Sequence, residues 1–410
     1  MTDRFERTEL DGLVALTERI PGVHSVSAGV WVRSGSVNEQ PAEMGISHLL
    51  EHMVFKGTGR RSARDIALAI ERVGGALDAY TTREHTSFQA RVLDEFGDLA
   101  LDVLSDLVVH PALRLEDLEL EREVVLEEIA TVEDTPDDLV FELHSDHLWR
   151  GHPYGYSVLG TRDTVGGVTV EALKRRHTAS YRRENMVLAA VGNVDHGWFV
   201  DRVANLFAPA GRGGRNGGPP MAPTHEPVRT TVPRDSAQTH IVVGTRTFEH
   251  ADPRRYAFVL LSAALGGGMS SRLFQRIREE LGLAYSVFSF QSFYQSGGMA
   301  GVYVGTRPES ADRAQAEVET ELARLATEGL APDELDDVKG QVKGQIALSL
   351  ESTGARLHRL AGTELYDEPF RTVEQVIEKV DAVTLEDVAS LAAEYMRPER
   401  QTVTRLGPAA

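Results

Sequence analysis

Five consecutive residues hold the strongest chemical signal in this chain: His48, Leu49, Leu50, Glu51 and His52, inside the segment GISHLLEHMVF. The apolar residues of that segment recur at helical spacing, so it reads as a helix beginning at Gly45. At about 100° per residue, His48 and His52 differ by about 40°, and Glu51 lies on the neighbouring edge. Two imidazoles and a carboxylate thus share one side. The order H-x-x-E-H reverses H-E-x-x-H and keeps its logic: the imidazoles bind Zn²⁺ while the carboxylate stays free to take a proton from water. With 14 histidines in 410 residues, chance yields such a pentapeptide roughly 0.05 times per chain. A lone histidine on an amphipathic helix is most simply a packing residue; a pair with a glutamate between them points to a metal.

Two histidines do not complete a catalytic zinc site, which usually has three protein ligands and one open position. The chain has no cysteine, so the third ligand must be His, Asp or Glu. The most acidic helical segment is LEDLELEREVVLEEIATVEDTPDD, where Glu121 and Glu128 are seven apart and fall on nearly the same face. Glu116, Glu119, Glu123, Glu127 and Glu133 compete with them, and spacing alone does not choose.

The elements that must carry these residues form two similar series. The first has a strand in Val26–Ser36, the histidine helix, a short helix at Ala63–Val73, a strand pair around Tyr80–Val92, and then long helices. The second has a strand at Thr239–Phe248, an apolar helix in YAFVLLSAALGGG, a helix at Ser271–Leu281, strands in AYSVFSF and AGVYVGT, and long helices from Arg307. Between them the Gly/Pro-rich stretch Ala208–Thr230 interrupts all periodicity. These features predict an α+β fold of two similar domains related by internal duplication, each a mostly antiparallel sheet covered by helices. The expected ranges are 1–207, a linker at 208–230, and 231–410.

Composition narrows the function classes. Lys and Arg number 43 against 62 Asp and Glu, a net charge of −19, which opposes nucleic-acid binding. The N-terminus lacks an apolar core of signal-peptide length and no run of about 18 apolar residues occurs, so neither secretion nor membrane spanning is expected, and the chain reads as cytoplasmic. Gly266–Gly268 is not followed by G-K-[ST], so a phosphate loop is not indicated.

GISHLLEHMVFKGT, followed by the ELEREVVLEEI helix, resembles the pitrilysin or insulinase family of zinc metallopeptidases, which includes mitochondrial processing peptidase and insulin-degrading enzyme. The resemblance implies His48, His52 and Glu128 as the ligands of one Zn²⁺ per chain, Glu51 as general base, and Glu121 as a supporting carboxylate that orients a ligand histidine. AYTTREHTSFQARV resembles the family's edge strand, on which substrate backbone lies as an added strand, so Asp78, Ala79 and Tyr80 are implied in substrate binding. Asp78 stands where many members carry Asn.

The resemblance continues through LGGGMSSRLFQRIREELGLAYSV, in which Arg278 and Tyr285 match an Arg/Tyr pair that approaches the bound peptide and stabilises the oxyanion. HPYGYSVLGT also looks like a family segment, without an evident chemical role. What the resemblance implies is a zinc-dependent metalloendopeptidase that hydrolyses peptides or unfolded segments inside a clamshell chamber; the acidic surplus is chiefly explained by solubility and leaves room for cationic peptides as substrates. The chain resembles one half of the clamshell, so the expectation is a homodimer whose composite sites take Arg278 and Tyr285 from the partner. The competing expectation is a non-catalytic or partner-dependent subunit of a heterodimeric processing peptidase.

Overall fold

The computed structural model describes residues 4–408. Six strands, β1 (Arg4–Leu10), β2 (Leu13–Arg19), β3 (Ser25–Val32), β4 (Ala76–Thr81), β5 (Thr86–Leu93) and β6 (Met186–Gly192), form one sheet in the order β1-β2-β6-β3-β5-β4. All neighbours are antiparallel except β2 and β6. Five more, β7 (Arg229–Pro233), β8 (Thr239–Thr247), β9 (Ala284–Tyr294), β10 (Gly297–Thr306) and β11 (Thr402–Gly407), form a second sheet in the order β7-β11-β8-β10-β9. Its one parallel pair is β7 with β11.

Setting β2 to β6 against β7 to β11 reproduces strand order, direction and the position of the parallel pair. The internal duplication is therefore present in the topology, with β1 as an added edge strand. The series of elements read from sequence holds, although β1, β2, β6, β7 and β11 left no signal that reading used. Of these, β7 and β11 are short and β6 is continuously apolar, and periodicity does not separate a doubly buried strand from a helix segment.

β6 shows why the alternating pattern fails. Met186, Leu188 and Ala190 enter one core while Val187, Ala189 and Val191 enter another, so every residue is buried. The first core is capped by local helices, among them Ile46–Val54, Gly97–Val109 and Leu115–Asp134. The second is closed by Leu357, Leu360, Ala361 and Leu365 from the helix Thr353–Leu365, far along the chain.

Compactness consequently cuts the chain differently from the ranges 1–207 and 231–410. One unit comprises the chain up to Ala130, Tyr156–Gly218 and Ser349–Phe370; the other comprises Thr131–Gly155, Pro219–Leu348 and the chain from Arg371. The helix Pro136–Leu148 belongs to the second unit, where Val140 packs with Val242, Tyr303 and Leu406 on the sheet face that would otherwise be bare. Each half of the duplication thus supplies a helix to the other's sheet. The cut near residue 218 lies within the expected Gly/Pro-rich linker.

Candidate metal centre

The helix Ile46–Val54 buries Ile46, Leu49, Leu50, Met53 and Val54, a spacing of i, i+3, i+4, i+7 and i+8. Each such side chain removed from water contributes about 1.5–3 kcal/mol. That burial fixes the helix's rotation and leaves His48 and His52 on the adjoining side, with ring centroids 4.7 Å apart.

Its N-terminus is held by groups that spacing arguments do not reveal. The buried carboxylate of Glu39 accepts from the backbone N–H of Gly45 at 2.9 Å and of Ser47 at 2.8 Å. A carboxylate there both caps free N–H groups and meets the positive end of the helix dipole. Burial pushes the Glu39 pKa up, and those bonds oppose the shift. Arg176 ties the same corner, donating to the carbonyls of Gly35 and Asn38 and to Ser47 Oγ.

Gly45 enters the helix at φ 87°. A Cβ there would come within 2.4 Å of the Leu159 carbonyl oxygen, while one on Gly160, at φ 80°, would come within 2.4 Å of the Met44 oxygen. The segment HPYGYSVLGT, which had no chemical role in sequence, therefore supplies at Gly160 a backbone surface against which the histidine helix starts.

The helix Leu115–Asp134 directs Leu118, Glu121, Val125 and Ile129 inward, so Glu121 occupies a core position. Glu128 follows two turns later on almost the same face. Nε2 of His48 lies 3.6 Å from one Glu128 oxygen, and Nε2 of His52 lies 3.7 Å from the other. His48, His52 and Glu128 form the one group among the described residues able to converge on a cation, each offering a ligand atom within 4.8 Å of the others.

The donor set fits zinc. Two donors about 2.05 Å from a common tetrahedral centre stand about 3.3–3.4 Å apart, near the separations seen. They are nitrogen and carboxylate ligands, and burial, then the neighbouring His52, lowers the His48 pKa to about 4, so its imidazole is neutral as a ligand requires. His52 is oriented from behind: its Nδ1 lies 3.1 Å from Glu121 Oε2, which fixes the proton on Nδ1 and turns the lone pair of Nε2 toward Glu128. Lys56 pairs with the other Glu121 oxygen. Lys56 was not singled out in sequence; it follows the motif by one helical turn, which is the only trace of its role.

Glu51 is buried and reaches β4. Thr81 donates to Glu51 Oε2 at 2.7 Å. Burial raises the Glu51 pKa, and the Thr81 bond acts against it. Thr81, like Lys56, escaped sequence reasoning.

β4 is the edge of its sheet; of the segment AYTTREHTSFQARV expected at the edge, only its first three residues lie on it, and the remainder forms the turn and β5, which is paired on both sides. Leu77 and Ala79 pack on the core that also holds the histidine helix. By strand alternation Asp78 and Tyr80 face the other side, where Tyr80 Oη lies 3.1 Å from His358 Nδ1. Of the three residues implied in substrate binding, only Ala79 shares the face of Thr81 and Glu51; the backbone groups of Asp78 and Tyr80 are turned toward β5 by the register of the hairpin, in which Thr82 donates to the His85 carbonyl.

In the second unit, Arg278 lies in a π-helical stretch, Phe274–Glu280, and Tyr285 opens β9. The guanidinium carbon of Arg278 sits 4.3 Å from the Tyr285 ring centroid and 4.7 Å from that of Phe274, and Nη1 donates to the Tyr285 carbonyl at 3.1 Å. Tyr285 is 78% exposed. The two residues are thus brought together on the second unit's surface, with the phenol presented to solvent.

Residues 14–162 match the profile described as insulinase, peptidase family M16, and residues 167–342 match that described as peptidase M16 inactive domain. An uncharacterised zinc protease of Streptomyces coelicolor is 39% identical over 98% of this chain and 89% of its own length. The zinc protease YmxG of Bacillus subtilis, likewise described as uncharacterised, is 38% identical over 93% of both chains. The chain belongs to peptidase family M16, the insulinase family. Two solved structures share its fold: a peptidase M16 inactive domain from Pseudomonas fluorescens, at TM-score 0.93 and 21% identity over 99% of this chain and 98% of that one, and a protease from Helicobacter pylori, at TM-score 0.94 and 22% identity over 99% and 100%. No helix among the described residues is long and apolar enough to cross a membrane.

Proposed function

We propose that this chain is a zinc metalloendopeptidase acting on peptides or unfolded segments, with His48, His52 and Glu128 as ligands and Glu51 as base. The observation that carries the reading is the division of labour between two carboxylates on neighbouring helices. Glu128 faces both Nε2 atoms, while Glu51, one residue from His52, accepts from Thr81 and lies outside the converging group of His48, His52 and Glu128. A structural metal site would leave a buried, unligated glutamate without a task.

Zn²⁺ in such a site polarises a carbonyl and makes water nucleophilic near neutral pH. The chain's own part is proton handling and orientation. Glu51 accepts a proton at the oxygen not engaged by Thr81 and returns it to the leaving amine. Glu121 and Lys56 keep His52 in one tautomer. The open edge of β4 takes substrate backbone as an additional strand.

The test is direct: measure zinc per purified chain and cleavage of a fluorogenic basic peptide by wild type and Glu51→Gln. Stoichiometric zinc with cleavage lost in the variant supports the assignment; equal cleavage by both overturns it. We further propose a cytoplasmic homodimer in which Arg278 and Tyr285 serve the partner's site. Mixing inactive Glu51→Gln and Arg278→Ala subunits then restores part of the activity, and no restoration despite demonstrated subunit exchange removes the composite site.

A second reading, a partner-dependent or non-catalytic subunit, draws on the description "inactive domain" carried by the second-half match and by the Pseudomonas structure. It predicts full zinc loading with no cleavage by the chain alone.

A further inference from the structure

A pocket of about 460 Å³ lies in the second unit, apart from every residue assigned above. Its walls include Trp149, Thr247, Phe248, Tyr395, Arg246 and Arg400. Arg246 is the unusual member. Its guanidinium carbon stacks 4.4 Å from the Trp149 ring centroid, its Nε donates to the Leu148 carbonyl at 2.7 Å and its Nη1 to the Pro223 carbonyl at 2.5 Å. Among the described residues no carboxylate pairs with it, and burial alone depresses its pKa, with no neighbouring charge contributing.

A half-buried cation held rigidly by two carbonyls and an aromatic face, without a counter-ion, is costly unless a ligand supplies one. Two lining residues also carry buried polar atoms without a partner, the indole N–H of Trp149 and the hydroxyl of Thr247, both closed off from solvent. Glu399 is the one carboxylate in the lining; Arg400, on the same wall, stacks on Tyr395 at 5.0 Å. In a chain of net charge −19, two arginines against one glutamate make this a local reversal of sign.

We infer that this pocket binds an organic carboxylate with an aromatic or bulky apolar body, the carboxylate on Arg246 and the body against Trp149, Phe248 and Tyr395. The volume lies within the range for small-ligand pockets and suits a group of one to two amino-acid residues. Planar bidentate recognition favours carboxylate over a spherical anion. A free aromatic acid and the C-terminus of a peptide share this chemistry. The inference is independent of peptidase activity.

Calorimetric titration tests it with N-acetylphenylalanine and its amide on the wild type, and with a tetrapeptide ending in phenylalanine, as acid and as amide, on Glu51→Gln so that nothing is hydrolysed. The acids should bind at least tenfold tighter than the amides, and Arg246→Met, which keeps the stem on Trp149, should remove that preference while zinc content stays the same. Tighter binding of the tetrapeptide acid identifies a peptide C-terminus as the ligand; tighter binding of N-acetylphenylalanine identifies a small acid. Equal binding of acid and amide, no binding at millimolar concentration, or undiminished preference in Arg246→Met overturns the inference. The wild-type comparison of acid with amide decides even if the variant does not fold.

Discussion

Nδ1 of His52 lies 3.1 Å from Oε2 of Glu121, a carboxylate buried in the helix that also carries Glu128. Because one carboxylate orients the histidine that another meets across the metal position, removing its charge should loosen the metal without touching a ligand. Glu121→Gln is expected to lower zinc affinity about 10–100-fold, the usual cost of losing an outer partner. Competition with a chelator of known affinity measures it.

Thr81 lowers the proton affinity of Glu51, the proposed base. Its bond to Glu51 stabilises the ionised form against burial, so Thr81→Val raises the Glu51 pKa further. A base works only when deprotonated, hence the acidic limb of the kcat/KM profile should move to higher pH, with little change in zinc content. An unshifted limb with lowered zinc would assign Thr81 to folding of the site instead.

Gly45→Ala forces a Cβ into the Leu159 carbonyl at a left-handed φ. Strain of this kind costs about 1–3 kcal/mol, and relief requires the histidine helix to shift. Expected are a lowered Tm and weakened zinc binding together, whereas a Gly59→Ala control, with open space around its Cβ, leaves both in place.

His144 links the second unit to pH. Burial, aided by His147 and His225, lowers its pKa to about 3, against 6.5 for the unfolded residue. The folded state therefore binds fewer protons between those values. Stability is complete above pH 6.5 and falls as pH drops toward 3, by about 3 kcal/mol at pH 4. Urea unfolding followed across pH 7 to 4 should show that slope, and His144→Gln should reduce it.

Leu118→Ala removes a fully buried side chain from the helix bearing Glu121 and Glu128. Cavity formation costs about 2–5 kcal/mol, and loss of zinc should accompany partial unfolding rather than precede it. Thermal melts with and without added zinc separate the two.

The histidine pair and its glutamate were legible because they are local: an α-helix places i, i+3 and i+4 together whatever surrounds it. So was the two-fold series of strands and helices, since amphipathic periodicity and the Gly/Pro-rich interruption are properties of the chain. Glu121 and Glu128 could be paired by their seven-residue spacing, but nothing local ranked them above Glu116, Glu119, Glu123, Glu127 or Glu133. The family resemblance singled them out, and packing gives the physical reason, because Leu118, Val125 and Ile129 determine which side of that helix turns inward.

Lys56, Thr81 and Arg176 owe their places to contacts between elements separated in sequence, and no periodicity encodes those. The exchange of helices Pro136–Leu148 and Thr353–Leu365 between the two halves of the chain is of the same kind. Each half's apolar pattern specifies that a sheet face must be covered, and only the tertiary structure decides which helix covers it, because burial of apolar area is indifferent to where along the chain the covering side chains arise.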